Sequence, residues 1–90
     1  MAFTKEEAVE RARQDLAARL GARETDIKES VEDVDFSDMA LGAAVDGEMN
    51  GQMITPGWRI RLKANGNTLE YRANKHQLRL FNFDGSNYKL

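Results

Sequence analysis

Cysteine is absent from the 90-residue chain, and proline, histidine and tryptophan occur once each. Without cysteine there can be no disulfide bond, no thiolate zinc ligand and no thiol nucleophile. A run of about 18 apolar residues, as a membrane-spanning helix requires, is also missing, and residues 1–14 lack the apolar stretch of a signal peptide. We therefore expect a soluble, cytoplasmic protein, or a secreted or anchored one if a leader has been removed.

Charge is distributed unevenly along the chain, although its net value is only −2. Residues 1–55 hold 6 Lys and Arg against 13 Asp and Glu, a net −7, whereas residues 56–90 hold 7 against 2, a net +5. Two explanations are open. Either the acidic and basic halves lie against each other and neutralise, or the basic half forms a face for an acidic partner.

The N-terminal region has the pattern of an amphipathic helix. Thr4 and Glu7 are spaced as a capping box, and Gly21 is typical of the position just beyond a helix C-terminus. Between them, apolar side chains recur at helical spacing: Val9, Ala12, Leu16 and Leu20. The pattern predicts a helix over about residues 5–20, with a single apolar stripe that a sheet would cover.

The acidic segment that follows predicts a distorted strand over about residues 27–36. Its apolar residues lie at odd positions up to Val31 and at even positions from Val34 onward. One face of a regular strand cannot contain both groups, so we expect a bulge near Glu32 and Asp33, or a bend there. The carboxylates of this segment lack the order of a calcium-binding loop, and no metal site is predicted.

The dipeptide Asn65-Gly66 predicts a two-residue hairpin between alternating apolar runs, because both residues tolerate the positive φ of a type I′ turn. Counting outward gives strands over about residues 58–64 and 67–73. The opposite pairs are then Leu62 and Leu69, Ile60 and Tyr71, and Trp58 and Ala73. Apolar residues meet apolar partners in this register, which supports it.

A second hairpin, with residues 74–77 as its loop and a strand over about residues 78–83, places arginines in a row across three strands. The row is Arg59, Arg72 and Arg79, and Arg61 lies on the same face. Like charges that lie opposite each other are destabilising, so the row needs an explanation. Three are open: the side chains extend into solvent, they pair with acidic residues of an adjacent strand or a crossing segment, or they bind an anionic partner.

Nucleic-acid binding is not expected, although this row is basic. Proteins that bind single strands place aromatic and basic side chains on the same surface. The register directs Trp58 and Tyr71 to the face opposite the arginines and leaves Phe81, with Phe83 as a further option, on the basic side.

Residues 37–57 form a long connection that contains four of the seven glycines, three of the four methionines and the only proline. Long loops inside small domains are often functional or carry a short element of their own, for which residues 52–55 are an option. Thr55-Pro56-Gly57 predicts a turn into the next strand. The candidate contact residues for a protein or peptide are Met39, Leu41, Gly42, Met49, Met53, Thr55, Pro56 and Gly57. The alternative is that the methionines cover the edge of the core.

No catalytic or cofactor site is predicted. The single histidine, His76, lies in a predicted hairpin loop, and the serines have no neighbouring base. We therefore predict a single α+β domain over residues 1–90, with one N-terminal helix packed on an antiparallel sheet of three to four strands in the order α-β-loop-β-β-β. Its predicted function is that of a non-catalytic protein- or peptide-interaction module without cofactors or metals.

Two alternatives remain for the function. In one, the domain is a small accessory subunit that docks its basic face on an acidic partner, through Arg59, Arg61, Arg72 and Arg79. In the other, it is a structural domain with no partner of its own. The protein is expected to be a monomer, or a dimer that pairs through its exposed last strand.

Four short stretches resemble a group of small bacterial domains that are often carried by secreted or lipid-anchored proteins. They are "DLAARLG" at 15–21, "LG" at 41–42, "TPGWRI" at 55–60 and "LEY" at 69–71. The helix-then-sheet layout is also similar to PepSY and cystatin-like modules, which are associated with restraining proteases or binding peptides. This resemblance implies an inhibitor-like interaction role.

The chain departs from the resembled pattern at two places. Many members have Cys-Pro where this chain has Ala43 and Ala44, and a cysteine where it has Leu80 or Phe81. The resemblance therefore implies that the disulfide of the secreted members is missing here, which favours a reducing compartment.

Overall fold

In the computed structural model, which describes residues 2–90, one helix packs on a five-stranded antiparallel sheet. Helix α1 spans Lys5–Leu20, and a short 3₁₀ turn spans Glu24–Asp26. The strands are β1 (Lys28–Phe36), β2 (Thr55–Ala64), β3 (Asn67–Asn74), β4 (Gln77–Phe83) and β5 (Ser86–Lys89). They lie side by side in chain order. The α+β fold expected from the sequence is confirmed, with one strand more than predicted.

Helix α1 begins and ends as its sequence predicts. The Thr4 hydroxyl accepts the Glu7 backbone N–H at 3.1 Å, and the Glu7 carboxylate accepts the Thr4 N–H at 2.9 Å. Gly21 ends the helix in the left-handed conformation, at φ 65°. The buried stripe consists of Ala8, Val9, Ala12 and Leu16. Among residues 2–90, no helix is both long and apolar enough to cross a membrane.

The core lies between α1 and one face of the sheet. Alternate residues of β2, β3 and β4 point to the helix and are buried: Ile60, Leu62, Leu69, Tyr71, Ala73, Leu78 and Leu80. Burial of these apolar groups is the main stabilising term of such a fold. The Tyr71 hydroxyl donates to Asp15 Oδ2 at 2.7 Å, and Arg19 Nε donates to the same oxygen. Burial, and then the hydrogen bond to Asp15, raises the pKa of Tyr71 well above its ordinary value.

Both predicted hairpins are present in the predicted register. Asn65 and Gly66 have φ values of 54° and 77°, as a type I′ turn requires. Each apolar pair counted outward from this turn is found. In the second hairpin Arg72 lies opposite Arg79, and the Asn74 side chain accepts backbone N–H groups of the turn. The turns therefore determine which side chains face the helix.

The bulge predicted near Glu32 and Asp33 is wrong. Strand β1 pairs with β2 in one continuous register from Lys28 to Phe36. The apolar residues change parity because both faces of β1 pack against other groups. Val31 faces the helix side, whereas Phe36, only 4% exposed, is buried on the opposite face.

The turn predicted at Thr55-Pro56-Gly57 is also wrong, because these residues are the first three of β2. Gly57 lies opposite Val34 of β1. A Cβ atom at Gly57 would lie 2.4 Å from the carbonyl oxygen of Ala73, so glycine is needed for close approach of the strands. The option of a short strand over 52–55 is wrong as well, since only Thr55 is in a strand.

The fifth strand follows the third two-residue turn of the sheet, Asp84-Gly85, where both residues have positive φ. Before it, the pairing of β4 with β5 is irregular between Leu80 and Phe83, and Asn82 has a φ of 51°. This irregularity turns Phe83 toward the helix side, where it packs against the core. The option that Phe83 lies on the basic face is therefore wrong.

Candidate functional site

The connection between β1 and β2 crosses the face of the sheet that points away from α1. We call residues 37–54 the methionine loop. Side chains from β3, β4 and β5 donate to its backbone carbonyl oxygens. These bonds join Gln77 to Met39, Arg72 to Leu41, Arg79 to Ala43, and Asn87 to Ala44, at 2.7, 3.1, 3.2 and 2.8 Å. The loop is thus held against the sheet from Met39 to Ala44, although it contains no strand or helix of its own.

Hydrogen bonds within the loop fix its shape. The Asp38 carboxylate accepts the backbone N–H groups of Ala40 and Gly42, both at 2.9 Å. The Met39 N–H donates to the Gly51 carbonyl at 2.9 Å and joins the start of the loop to its last part. A compact loop whose ends lie close together and which is fastened by its own groups is typical of functional surface loops.

The strongest attachment of the loop is an ion pair between Arg79 and Glu48. Nη1 and Nη2 of Arg79 donate to the two carboxylate oxygens at 2.5 and 2.7 Å. The Arg79 side chain is only 5% exposed, so this pair lies between loop and sheet. Hydrogen bonds from Arg79 lower the pKa of Glu48 from its ordinary 4.5 to about 2. The ammonium group of Lys89, 3.6 Å from Glu48, adds to the positive charge there.

The other arginines of this face also have partners within the chain. We call the four residues Arg59, Arg61, Arg72 and Arg79 the arginine face. Arg72 stacks 3.7 Å from the ring centroid of Phe81 and donates to Glu70 at 2.8 Å. Arg59 donates to Glu32 of the adjacent strand at 2.9 Å, and Arg61 to Glu70 at 3.4 Å. Three explanations were open for the arginine row: solvation, pairing within the chain, or an anionic partner. In the structure the arginines pair within the chain, with acidic residues of an adjacent strand and of the crossing methionine loop.

The candidate contact residues of the methionine loop divide into exposed and buried ones. Large apolar side chains are exposed at Met49 (96%), Met53 (63%) and Met39 (47%). Leu41 is fully buried, and Gly42 is exposed but lies under Arg72 Nη1. At the end of the connection, Pro56 is exposed, Thr55 is half-buried and Gly57 is buried.

Sequence reasoning missed Ile54 and Glu48. Ile54 is 70% exposed and follows Met53 directly, so the exposed apolar side chains occupy three positions within residues 49–54. Its position beside Met53 in the sequence is a signal that could have identified Ile54 as a contact residue. Glu48 had no local signal, because its role depends on Arg79, which is 31 residues away in the chain.

Another concave site lies where β1 ends and β2 begins. This open groove of about 510 Å³, which we call the end groove, is lined by Asp33, Asp35, Pro56 and Trp58, and by His76 from the turn between β3 and β4. Val34, Thr55, Gly57, Asn74 and Lys75 complete it. Within residues 2–90, no three His, Asp or Glu side chains converge as a metal site would require.

These features define an α+β domain whose sheet carries a helix on one face and its own anchored loop on the other. Residues 9–81 match a family described as Domain of unknown function (DUF8738), and the chain belongs to this family. The match extends from α1 into β4 and includes the whole methionine loop. The comparisons with curated proteins and with solved structures gave no match.

Proposed function

We propose that this domain is a non-catalytic module that binds a protein or peptide through residues 49–54 of the methionine loop, which we call the tip of the loop. The observation that carries the proposal is the exposure of Met49, Met53 and Ile54 on a loop whose preceding residues, up to Glu48, are fastened to the sheet. Clustered exposed apolar side chains are uncommon on monomeric proteins and often mark interaction sites. Methionine adapts its shape to a partner more easily than branched side chains do.

The anchoring of the loop supports the same proposal. A free loop loses conformational entropy when a partner orders it, whereas a loop held by Arg72 and Arg79 has already lost much of that entropy. The bidentate pair with Glu48 holds the segment just before the exposed tip. The tip is thus presented in a limited set of positions, which favours specific binding.

An inhibitor-like role is the finer form of this proposal. It is supported by the resemblance of the layout to PepSY and cystatin-like modules, a resemblance at the level of the fold only. In such a role the loop tip would occupy a groove of its partner. An apolar loop tip suits a partner groove that is itself apolar.

The proposal is tested by capture of partners from the native cell. The baits are the wild type, the double variant Met49→Ser with Met53→Ser, and Gln52→Ser as a control that changes an exposed polar residue of the same segment. We expect proteins that the wild type and the control capture at both low and high salt, and that the double variant loses, because apolar contacts are little screened by salt. Identical sets for all three baits, or no captured protein at either salt, would contradict the proposal; the latter would favour a structural domain.

A specific observation favours a second candidate function, docking on an acidic partner. The loop leaves part of the basic face open, since the Arg61 side chain is 51% exposed. Lys28 and Lys63 lie opposite each other beside it, and both are exposed. Partners bound there would be lost at high salt and by Arg61→Ala with Lys63→Ala, but not by the control Lys75→Ala.

A further inference from the structure

The outer edge of β1 is a long unpaired strand edge. Strand β1 is nine residues long and is the first strand in the sheet order, so only β2 lies beside it within residues 2–90. Alternate residues of an antiparallel strand direct their N–H and C=O groups to the same side, and on the outer side of β1 these groups have no strand partner. Its register is continuous, without a bulge that would twist the edge away. Such an edge can accept an extended peptide as an added strand.

The end groove lies at the C-terminal end of this edge. Asp33 and Asp35 are two residues apart, so they share the face of β1 that points to the helix side. They lie opposite Trp58 and Pro56 of β2 in the strand register. The groove therefore combines an indole, a proline ring and two carboxylates on its walls, with Lys75 and His76 of the turn between β3 and β4 at its side. A carboxylate beside an aromatic ring is an environment that favours a Lys or Arg side chain.

Charge decides which kind of strand fits the edge. Strand β1 contains four acidic residues and one lysine, a net charge of 1 − 4 = −3. Glu29 and Glu32 already form ion pairs within the chain, with Arg13 and Arg59 respectively. The Asp33 side chain is 78% exposed although it contacts Lys5, and the exposed Asp35 carboxylate makes no hydrogen bond or ion pair with the part of the chain that is described. The carboxylates nearest the groove are thus the most available to a partner.

A second copy of the chain is a poor occupant of this edge. Pairing β1 with another β1 would place −3 against −3, and like charges on neighbouring strands are destabilising. A basic peptide with cationic side chains at alternate positions meets Asp33 and Asp35 with opposite charge instead. We propose that β1 binds an extended basic peptide segment as a sixth strand, with one Lys or Arg side chain of that segment in the end groove.

This inference goes beyond the proposed function, because it gives the domain a second binding surface with a stated partner chemistry. Trp58 is the only tryptophan of the chain, so its fluorescence reports binding in the groove directly. The probe is a synthetic peptide in which Lys and Val alternate, and its counterpart has Glu in place of Lys. We expect the Lys peptide to change the Trp58 fluorescence in a saturable way and the Glu peptide to have no effect.

Two variants test the carboxylates with equal changes of net charge. Asp33→Asn with Asp35→Asn should weaken binding of the Lys peptide by about tenfold or more, which corresponds to the loss of one good charged contact. The control, Glu24→Gln with Asp46→Asn, removes two exposed carboxylates outside β1 and should leave the affinity within about twofold. Equal weakening in both variants would mean that the peptide binds the net charge of the protein, and the proposal would fall.

Backbone pairing is tested with the same Lys peptide carrying N-methyl groups at alternate residues. Methylation on the side facing β1 removes the donors of the strand ladder but keeps every charge. We expect this peptide to lose binding, and the unmethylated one to protect β1 amides from hydrogen exchange. Undiminished binding of the methylated peptide, or β1 amides already protected in a dimer without peptide, would overturn the proposal.

The two proposals can fail separately. The Met49→Ser with Met53→Ser variant should bind the Lys peptide as the wild type does, because neither methionine lines the end groove. If the Lys peptide fails to bind while this variant still loses its captured proteins, only the edge-strand inference is wrong. If the peptide binds but the captured proteins are unchanged, the loop is not the contact surface and the edge-strand site stands.

Discussion

Arg79 of β4 binds Glu48 of the methionine loop through both terminal nitrogens of its guanidinium, across 31 residues of chain. Because Arg79 lies on β4, between β3 and β5, and Glu48 just before the exposed tip, this pair determines where the tip is held. It also explains how an arginine tolerates burial, since all three of its guanidinium nitrogens donate: Nε to the Gln77 side chain, Nη1 to the Ala43 carbonyl and Glu48, and Nη2 to Glu48.

Replacement of Glu48 by Gln should destabilise the domain strongly. It leaves the buried Arg79 charge without a counter-charge, and breaking a buried pair in this way costs about 3 kcal/mol or more. The measurement is the free energy of unfolding in urea. The control is Glu32→Gln, which breaks the half-exposed pair with Arg59 and should cost less than about 1 kcal/mol. Similar costs for both variants would contradict the assignment of Arg79–Glu48 as the main attachment.

The same pair should make stability depend on pH below the ordinary pKa of a glutamate. The pKa of Glu48 is lowered from 4.5 to about 2, chiefly by hydrogen bonds from Arg79, so the folded state favours the carboxylate form. This contribution is present above pH 4.5 and is lost as the pH falls toward 2. The difference in unfolding free energy between the wild type and Glu48→Gln should therefore shrink over that range. A difference that stays constant from neutral pH to pH 2 would show that the charge of Glu48 is not the cause.

Local chemistry explains which parts of the fold the sequence predicts. The helix begins at the capping box of Thr4 and Glu7. These two residues are only three positions apart, so the signal can be read locally from the sequence. The register of β2 and β3 follows from Asn65-Gly66, because a two-residue turn leaves no freedom in the pairing. Asp84-Gly85 has the same chemistry, but the strand that follows it, Ser86–Lys89, is only four residues long and is too short to show a clear apolar alternation.

Long-range packing explains what the sequence did not predict. The parity change in β1 indicates a bulge only if one face of the strand is solvated. Here the methionine loop and Arg72, whose guanidinium lies 5.4 Å from the ring centroid of Phe36, make the second face an interior as well. The arginine row was predicted from the register, but its acceptors on the loop depend on a chain path without periodicity. The sequence therefore predicted which segment forms the candidate site, but it did not predict the contacts that hold that segment on the sheet.

Removal of the Tyr71 hydroxyl should test the polar contact between helix and sheet. Tyr71→Phe deletes the donor to Asp15, and a hydrogen bond to a charged group contributes about 1.5 kcal/mol. Since the pKa of Tyr71 is raised above its ordinary 10.0, its contribution is present below pH 10 and is lost as the pH rises further. The stability difference between wild type and variant should thus narrow above pH 10. The control Tyr88→Phe, at a more exposed tyrosine, should cost less stability at neutral pH than Tyr71→Phe.

Glycine at position 57 should be required by the packing of strands and not by backbone conformation, because its φ is not positive. In Gly57→Ala the new Cβ would meet the Ala73 carbonyl oxygen at 2.4 Å and the Phe36 ring at 3.0 Å. Neither group can move without shifting the sheet, so we expect a loss of about 1–3 kcal/mol in unfolding free energy.

Gly51→Ala is the matched control for Gly57→Ala. Its Cβ would meet the Met39 sulfur at 2.7 Å, at the far end of a flexible side chain that can turn aside. The control should change stability by less than about 1 kcal/mol, and can be stabilising because alanine restricts the unfolded chain. If both alanine variants unfold at the same urea concentration as the wild type, then Gly57 does not lie as close to Ala73 and Phe36 as the structure has it. A loss confined to Gly57→Ala would establish that the first residues of β2 are sheet and not a turn.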